Sequence, residues 1–224
     1  MDESLSTSSV TQSLSEKAYQ LVEEMIVTLK MLPGTAFSEQ ELSKRVNIGR
    51  TPLREALQRL IADRLVISLP RRGMIVTEIN LTEYLAILET RRELDRLIAR
   101  KAAQRATPDQ CKTLKLCAYE LVKAAAANDI SEFMRWDKVS DNIMEHACKN
   151  SFAVLANSPL HSHCRRFWYF YQGSGDLTTA ADLHANLVKA VANQNADSAA
   201  AASDALLDYL EKFTRQALGL NSHP

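Results

Sequence analysis

The sequence has few cysteines, and none is placed as in a structural metal site. Its four cysteines, Cys111, Cys117, Cys148 and Cys164, include no CxxC pair and no zinc-finger spacing. They are therefore expected to be reduced thiols, mostly buried in helices, in a cytoplasmic protein. No apolar run approaches the length that crosses a bilayer. The polar residues at the start of the chain also lack the apolar segment of a signal peptide.

Motifs that would carry catalysis are missing as well. The chain has only six glycines in 224 residues, and they form no glycine-rich phosphate loop. No nucleophile motif with a neighbouring general base is visible. We therefore predict that the protein is not an enzyme. The hydrophobic content of 46% is enough to build the core of one large domain or two small ones.

The net charge of zero argues at first against a nucleic-acid partner, but the charge is unevenly distributed. Between Gln40 and Arg72 there are eight basic and three acidic residues, so this segment carries +5 and the rest of the chain −5. A basic module on an otherwise acidic protein can be attracted to DNA without binding every polyanion.

The basic segment has the pattern of two helices joined by a turn. Leu42 and Val46 lie one helical turn apart, and Asn47 tolerates the left-handed conformation that ends a helix. Pro52 suits the first turn of the next helix. That helix is predicted to bury one apolar stripe, formed by Leu53, Ala56, Leu57 and Leu60. Its arginines would lie at the N-terminus, where helices meet phosphates and base edges.

The flanking segments extend this pattern to a winged helix-turn-helix over residues 13–79. A helical pattern starts at Ser13, and Ser38 with Glu41 fits a capping box. Two short strands, residues 65–69 and 74–77, are joined by a turn that contains Arg71, Arg72 and Gly73. Residues 1–12 are predicted to form a disordered tail.

Residues 80–220 show helical periodicity almost throughout and no strand-like alternation. They predict a bundle of about six or seven helices, with breaks at Asn150, residues 157–159 and residues 173–175. The predicted fold class is therefore mainly α: an N-terminal winged helix-turn-helix followed by an all-helical domain.

With these motifs in view, the chain resembles the GntR family of bacterial transcription regulators, in its FadR-like subgroup with a helical FCD effector domain. The likeness runs from Ser13 almost to the end and is most specific at residues 50–57, RTPLREAL. Gly49 replaces the family's usual serine and removes a hydroxyl that could contact phosphate. Arg64 stands where a glycine usually follows the recognition helix, which would cost strain if the backbone there is left-handed.

The resemblance implies a set of DNA-contacting residues. Those on the recognition helix would enter the major groove, and those at the wing tip would reach phosphates or the minor groove. They are Arg50, Thr51, Arg54, Arg71, Arg72 and Gly73. Glu55 is expected to position an arginine rather than to contact DNA.

The resemblance also implies the function: a ligand-responsive repressor, cytoplasmic and nucleoid-associated, that binds a palindromic operator as a homodimer. A homodimer is expected because one winged helix covers only a short half-site. A small carboxylate metabolite would bind in residues 80–220. The expected effector-binding residues are Arg91, Asp137, Arg165 and His184.

Many members of this subgroup bind a divalent metal through one aspartate and three histidines. Here Asp137 matches, Asp141 stands at the first histidine position, and His184 resembles the second histidine. Leu206 or Tyr209 falls where the last histidine is expected. This incomplete set predicts a Zn, Ni, Mn or Mg site, and the alternative is a metal-free pocket in which His184 forms hydrogen bonds.

Other readings stay open at the level of the sequence. His161 and His163 lie two residues apart and point away from each other on a helix, so we interpret them as ordinary surface or core groups. Residues 80–220 could instead form a metal-dependent hydrolase-like domain fused to a DNA-binding module, or bind no effector at all.

Overall fold

The computed structural model describes residues 13–171 and 176–217; the predicted tail at 1–12 and the predicted break at 173–175 lie outside them. The chain divides into two compact units between Glu78 and Ile79. The first unit combines helices with a small sheet, and the second is helical, which confirms the predicted mainly α fold class.

The first unit contains three helices and three strands. Their bounds are α1 (Leu14–Val27), β1 (Ala36–Phe37), α2 (Glu39–Val46), α3 (Arg50–Ala62), β2 (Val66–Leu69) and β3 (Gly73–Val76). The strands form an antiparallel sheet in the order β1-β3-β2, with Phe37 opposite Met74 and Ile67 opposite Ile75. The sequence predicted only the β2–β3 hairpin, because a two-residue strand has no periodicity to detect.

Local signals fix the ends of the helices in the first unit. The Ser38 hydroxyl accepts from the backbone N–H of Glu41, whose side chain in turn accepts from the backbone N–H of Ser38, so the predicted capping box is present. Asn47 ends α2 with φ 53° and ψ 44°, the left-handed conformation expected for it. Arg64, just after α3, also has a positive φ of 59°.

The core of the first unit lies under α3 and the sheet. The predicted stripe of Leu53, Ala56, Leu57 and Leu60 is fully buried against α1 residues such as Val22 and Ile26 and against strand residues such as Val66 and Val76. Because this face of α3 holds the helix in the core, the opposite face and its N-terminal turn remain on the surface.

The second unit contains six helices among the described residues. They are α4 (Leu81–Arg105), α5 (Pro108–Ala126), α6 (Ile130–Cys148), α7 (Ser151–Tyr171), α8 (Leu177–Ala192) and α9 (Ala196–Ala217). α5 packs on α8 and α4 packs on α9, with many buried alanines that let the helices approach closely. All four cysteines are buried and unpaired in these helices, as predicted.

The predicted helix break at residues 157–159 is wrong, because α7 continues through Pro159. Proline removes one backbone hydrogen bond, to the carbonyl of Leu155 four residues earlier. Leu155 is 74% exposed, so the affected turn lies on the solvent side of the helix. Asn157 is fully buried on the inner face, where packing stabilises the helix. Within the described residues, no helix has both the length and the apolarity needed to cross a membrane.

Candidate functional site

The N-terminal turn of α3 is exposed, basic and without a side-chain cap. Gly49 occupies the N-cap position and forms no side-chain hydrogen bond to the helix. No acidic residue lies in the first turn, and Arg50 and Thr51 are both exposed. The backbone N–H groups of this turn, the positive end of the helix dipole and Arg50 therefore point to an anionic ligand such as a DNA phosphate.

Arg54 lies one helical turn further on and is already paired with a carboxylate. Its Nη2 donates to Oε2 of Glu39 at 2.9 Å, and its Nε lies 3.3 Å from the same oxygen. The sequence suggested that Glu55 positions an arginine. In the structure, the carboxylate that positions Arg54 is instead that of Glu39 on α2. Because the guanidinium is still 64% exposed, it can exchange this weak surface pair for DNA.

The tip of the wing presents two further arginines. Arg71 and Arg72 are exposed in the turn between β2 and β3, and Arg71 has a φ of 63°. Gly73 has a φ of 87°, and a Cβ atom there would lie 2.7 Å from the backbone oxygen of Phe37. Glycine is therefore required at position 73 because the backbone of β1 passes too close to leave room for a side chain.

The second unit contains a small cavity that joins α4, α6, α7, α8 and α9. It is lined by charged and aromatic side chains together with a few apolar ones: Arg91, Phe133, Met134, Asp137, Asp141, His161, Cys164, Arg165, Trp168, Ala180, His184 and Leu210. All four predicted effector-binding residues are therefore brought together. The cavity measures about 40 Å³, which is room for roughly three water molecules.

Arg165 on α7 joins the two aspartates of α6. Its Nε donates to Oδ2 of Asp137 at 2.9 Å, and its Nη2 donates to Oδ2 of Asp141. The other oxygen of Asp137 lies 3.0 Å from Nδ1 of His184 on α8. The planar guanidinium thus bridges two carboxylates one helical turn apart, which would otherwise repel each other.

His161, one turn before Arg165, links two further carboxylates. Its Nδ1 lies 2.7 Å from Asp141 and its Nε2 lies 3.0 Å from Asp95 on α4. Asp95 also accepts from Arg91 at 2.7 Å and from the amide of Asn157 at 2.5 Å. The network therefore ties α4, α6 and α7 together through buried, mutually neutralising charges.

The network strongly perturbs its ionisable groups. Burial alone would lower the pKa of His161, but Asp141, with a further contribution from Asp95, raises it to about 10. Burial would likewise raise the pKa of Asp137, but Arg165 and then His184 hold it well below its usual range. Burial would also raise the pKa of Asp95, but Arg91 and then His161 hold it below its usual range. Near neutral pH the centre therefore contains imidazolium and carboxylates.

Two buried donors that line the cavity have no acceptor among the described residues. They are Nε of Arg91 and Nε1 of Trp168, on side chains that are 7% and 6% exposed. A buried N–H without a partner costs roughly 1–3 kcal/mol. An oxygen of a bound small molecule or of water would recover this free energy, so these donors mark a place for an acceptor group.

The arrangement does not fit a divalent metal. Arg165 and His184 already bind both oxygens of Asp137, and a metal ion beside the guanidinium would meet a like charge. The sequence left Leu206 or Tyr209 at the last ligand position, but the α9 residue that lines the cavity is Leu210. No group of three His, Cys, Asp or Glu side chains with metal-binding geometry occurs among the described residues.

Sequence reasoning missed His161, Asp95 and Asn157 as members of this centre. For the two residues on α7 the sequence did contain a signal, namely their spacing. Every fourth residue there is polar: Asn157, His161 and Arg165. Such positions share one face of a helix and form a polar stripe. The HxH pair at 161 and 163 drew attention to the wrong spacing, because residues two apart do not share a face.

Comparison with known proteins assigns each unit a family. The model for the FCD domain matches residues 86–209, more than half of the chain. The model described as bacterial regulatory proteins, gntR family, matches residues 14–76. The gntR description is of regulatory proteins and not of enzymes.

Curated relatives and solved structures agree with this match. The chain is 30% identical over 127 residues to the HTH-type transcriptional repressor RspR of Escherichia coli K12, covering 57% of this chain and 56% of that protein. It is 29% identical over 121 residues to the repressor GlaR of the same strain, covering 53% and 54%. The chain thus matches about half the length of these relatives. The fold of E. coli McbR/YncC superposes with a TM-score of 0.76 at 15% identity over 94% of this chain and 97% of that one.

Proposed function

The chain belongs to the gntR family of bacterial regulatory proteins and carries an FCD domain, and from this premise we propose that it is a ligand-responsive transcriptional repressor. It would bind a palindromic operator as a homodimer, through α3 in the major groove and the wing tip beside it. Repression is proposed because the relatives RspR and GlaR are named repressors.

The observation that carries the DNA-binding proposal is the exposed N-terminal turn of α3. It combines uncapped backbone N–H groups, no acidic side chain and the exposed Arg50, and the exposed Arg54 follows one helical turn further on. Arginine matches the two major-groove acceptors of guanine, and either side chain could read a base or bind a phosphate. Arg71 and Arg72 at the wing supply a second basic contact.

A selection of DNA duplexes from a random pool tests this proposal. The wild-type chain should recover a palindromic sequence with two half-sites, and Arg50→Ala and Arg54→Ala should each weaken binding to it. A homodimer loses the contact in both half-sites, so loss of a phosphate contact should reduce the magnitude of the slope of log K against log salt by about 0.9 for each half-site. Loss of a base contact should relax the selected sequence at one position of each half-site, by about 1–3 kcal/mol per half-site.

Arg135→Ala is the matched control. Arg135 is an exposed arginine paired with Glu132 on α6, so this variant loses the same charge outside the basic segment. It should bind DNA as the wild type does. The DNA-binding assignment is refuted if both α3 variants retain the affinity and the selected sequence of the control.

For the effector we propose a small carboxylate metabolite that binds in the cavity of the FCD unit. Its oxygens would accept from the unpartnered Nε of Arg91 and Nε1 of Trp168. The cavity of about 40 Å³ has room for roughly three water molecules, so a larger metabolite would have to displace side chains. Such rearrangement can couple the effector reciprocally to DNA affinity.

A thermal-shift screen of mono- and dicarboxylates tests the effector proposal. A true effector should raise the melting temperature of the wild type, lower its affinity for the selected operator, and bind Trp168→Phe more weakly because that variant lacks the indole donor. If no carboxylate stabilises the protein while operator binding is intact, the effector class is wrong but the DNA-binding function stands.

A further inference from the structure

We infer that the guanidinium of Arg165 occupies the position between Asp137 and Asp141 that a divalent metal would need. The FCD unit of this chain therefore works without a metal. The inference rests on the proposed role of this unit as the effector domain. It concerns a property, metal independence, that can be measured without DNA or effector.

The geometry of Arg165 supports this role. The guanidinium reaches Asp137 through Nε and Asp141 through Nη2, and its side chain is 11% exposed. A single planar group thus satisfies two carboxylates from one helix face with one donor each, as a bridging cation would. Because the guanidinium is attached to α7, it competes with any free ion at a high effective concentration.

The potential metal ligands around Arg165 already have other partners, which disfavours binding of a metal. Of the four carboxylate oxygens of Asp137 and Asp141, three already have cationic or N–H partners: Arg165, His161 and His184. Both ring nitrogens of His161 are engaged by carboxylates, Nδ1 by Asp141 and Nε2 by Asp95, so neither is available to a metal. A divalent ion would have to displace the guanidinium of Arg165 before it could bind.

The same geometry predicts a gain of metal binding when Arg165 is removed. The position would then lack a neutralising cation, and the groups around it would be Asp137, Asp141 and His184, with the ring of His161 next to Asp141. Two carboxylates and one or two imidazoles suit Zn²⁺ or Mn²⁺. The arginine is thus the difference between a metal-free site and a metal site.

The experiment uses the full chain without a histidine tag, purified in chelator and then dialysed against ZnCl₂ or MnCl₂. Elemental analysis of the wild type should show no stoichiometric metal, and its melting temperature should respond neither to the chelator nor to the ions. Arg165→Ala should take up about one ion per chain and gain melting temperature with it. Chelator should reverse that gain.

Three comparison proteins make the result decisive. Arg165→Lys keeps a cation in place and should take up no metal, whereas Arg165→Gln should behave as the alanine variant and also covers the case in which Arg165→Ala does not fold. Arg135→Ala removes an exposed arginine on a different helix, α6, and should take up no metal.

Two results would overturn the inference. One is a wild type that binds one metal ion per chain and loses it in Asp137→Ala. The other is folded Arg165→Ala and Arg165→Gln variants that take up no ion. Neither result bears on operator binding, which is measured separately, so failure here is distinct from failure of the proposed function.

Discussion

Replacing His161 by glutamine should remove much of the dependence of protein stability on pH between pH 6 and pH 9. In the folded protein His161 is 6% exposed and lies between Asp141 and Asp95, which raise its pKa from 6.5 to about 10. Because the folded-state pKa is above the unfolded one, the stabilisation is complete below about pH 6.5 and is lost as pH rises toward 10.

The size of the effect follows from the two pKa values. With about 1.4 kcal/mol for each pK unit, protonation of His161 contributes about 4–5 kcal/mol at pH 6 and about 1 kcal/mol at pH 9. The difference in unfolding free energy between the wild type and His161→Gln should therefore shrink by about 3 kcal/mol over this range. Taking the difference cancels groups that titrate equally in both proteins.

Urea denaturation at pH 6, 7.5 and 9 measures this difference directly. His146→Gln is the matched control, since His146 is an exposed histidine on α6 whose Nδ1 forms a hydrogen bond with the backbone oxygen of Asn142. Its difference from the wild type should stay near zero at every pH. A gap between wild type and His161→Gln that is constant, or that widens with pH, would show that His161 is not held as imidazolium.

Three further outcomes are expected in the winged helix-turn-helix unit. Glu39→Gln should raise affinity for the selected operator at little cost in stability, because it releases Arg54 from an exposed ion pair; unchanged affinity in a filter-binding or anisotropy assay would contradict this. Arg64→Gly should stabilise the unit by about 1 kcal/mol in urea, because the backbone at φ 59° is left-handed; a loss of stability would argue that the arginine makes a compensating contact. Gly73→Ala should destabilise it by about 1–3 kcal/mol, since the new Cβ would lie 2.7 Å from the oxygen of Phe37; a melting temperature equal to that of the wild type would refute the close contact.

The features that the sequence predicted correctly are those carried by neighbouring residues. The capping box of Ser38 and Glu41, the left-handed Asn47 and the buried stripe of α3 each depend on side chains within a few positions of one another. Periodicity and capping report such local structure directly. The fold class of both units followed from these signals, and the family models later confirmed the resemblance.

The candidate site was only partly accessible from sequence. The four predicted effector-binding residues do line one cavity, but their partners come from distant parts of the chain. Arg165 meets Asp137 across 28 positions, and His161 meets Asp95 across 66. Spacing within one helix can show which residues share a face, but not which face of another helix it will meet.

The amino-acid sequence by itself thus determined the two units, the basic helix end and the polar stripes on α6 and α7, because helix periodicity and capping are local. Only the tertiary structure decided that the stripes meet and that Glu39 holds Arg54. It also decided that a guanidinium rather than an open ligand set lies between Asp137 and Asp141. The physical reason is that buried charges are stable only in neutralising pairs, and helix packing selects which charges can pair.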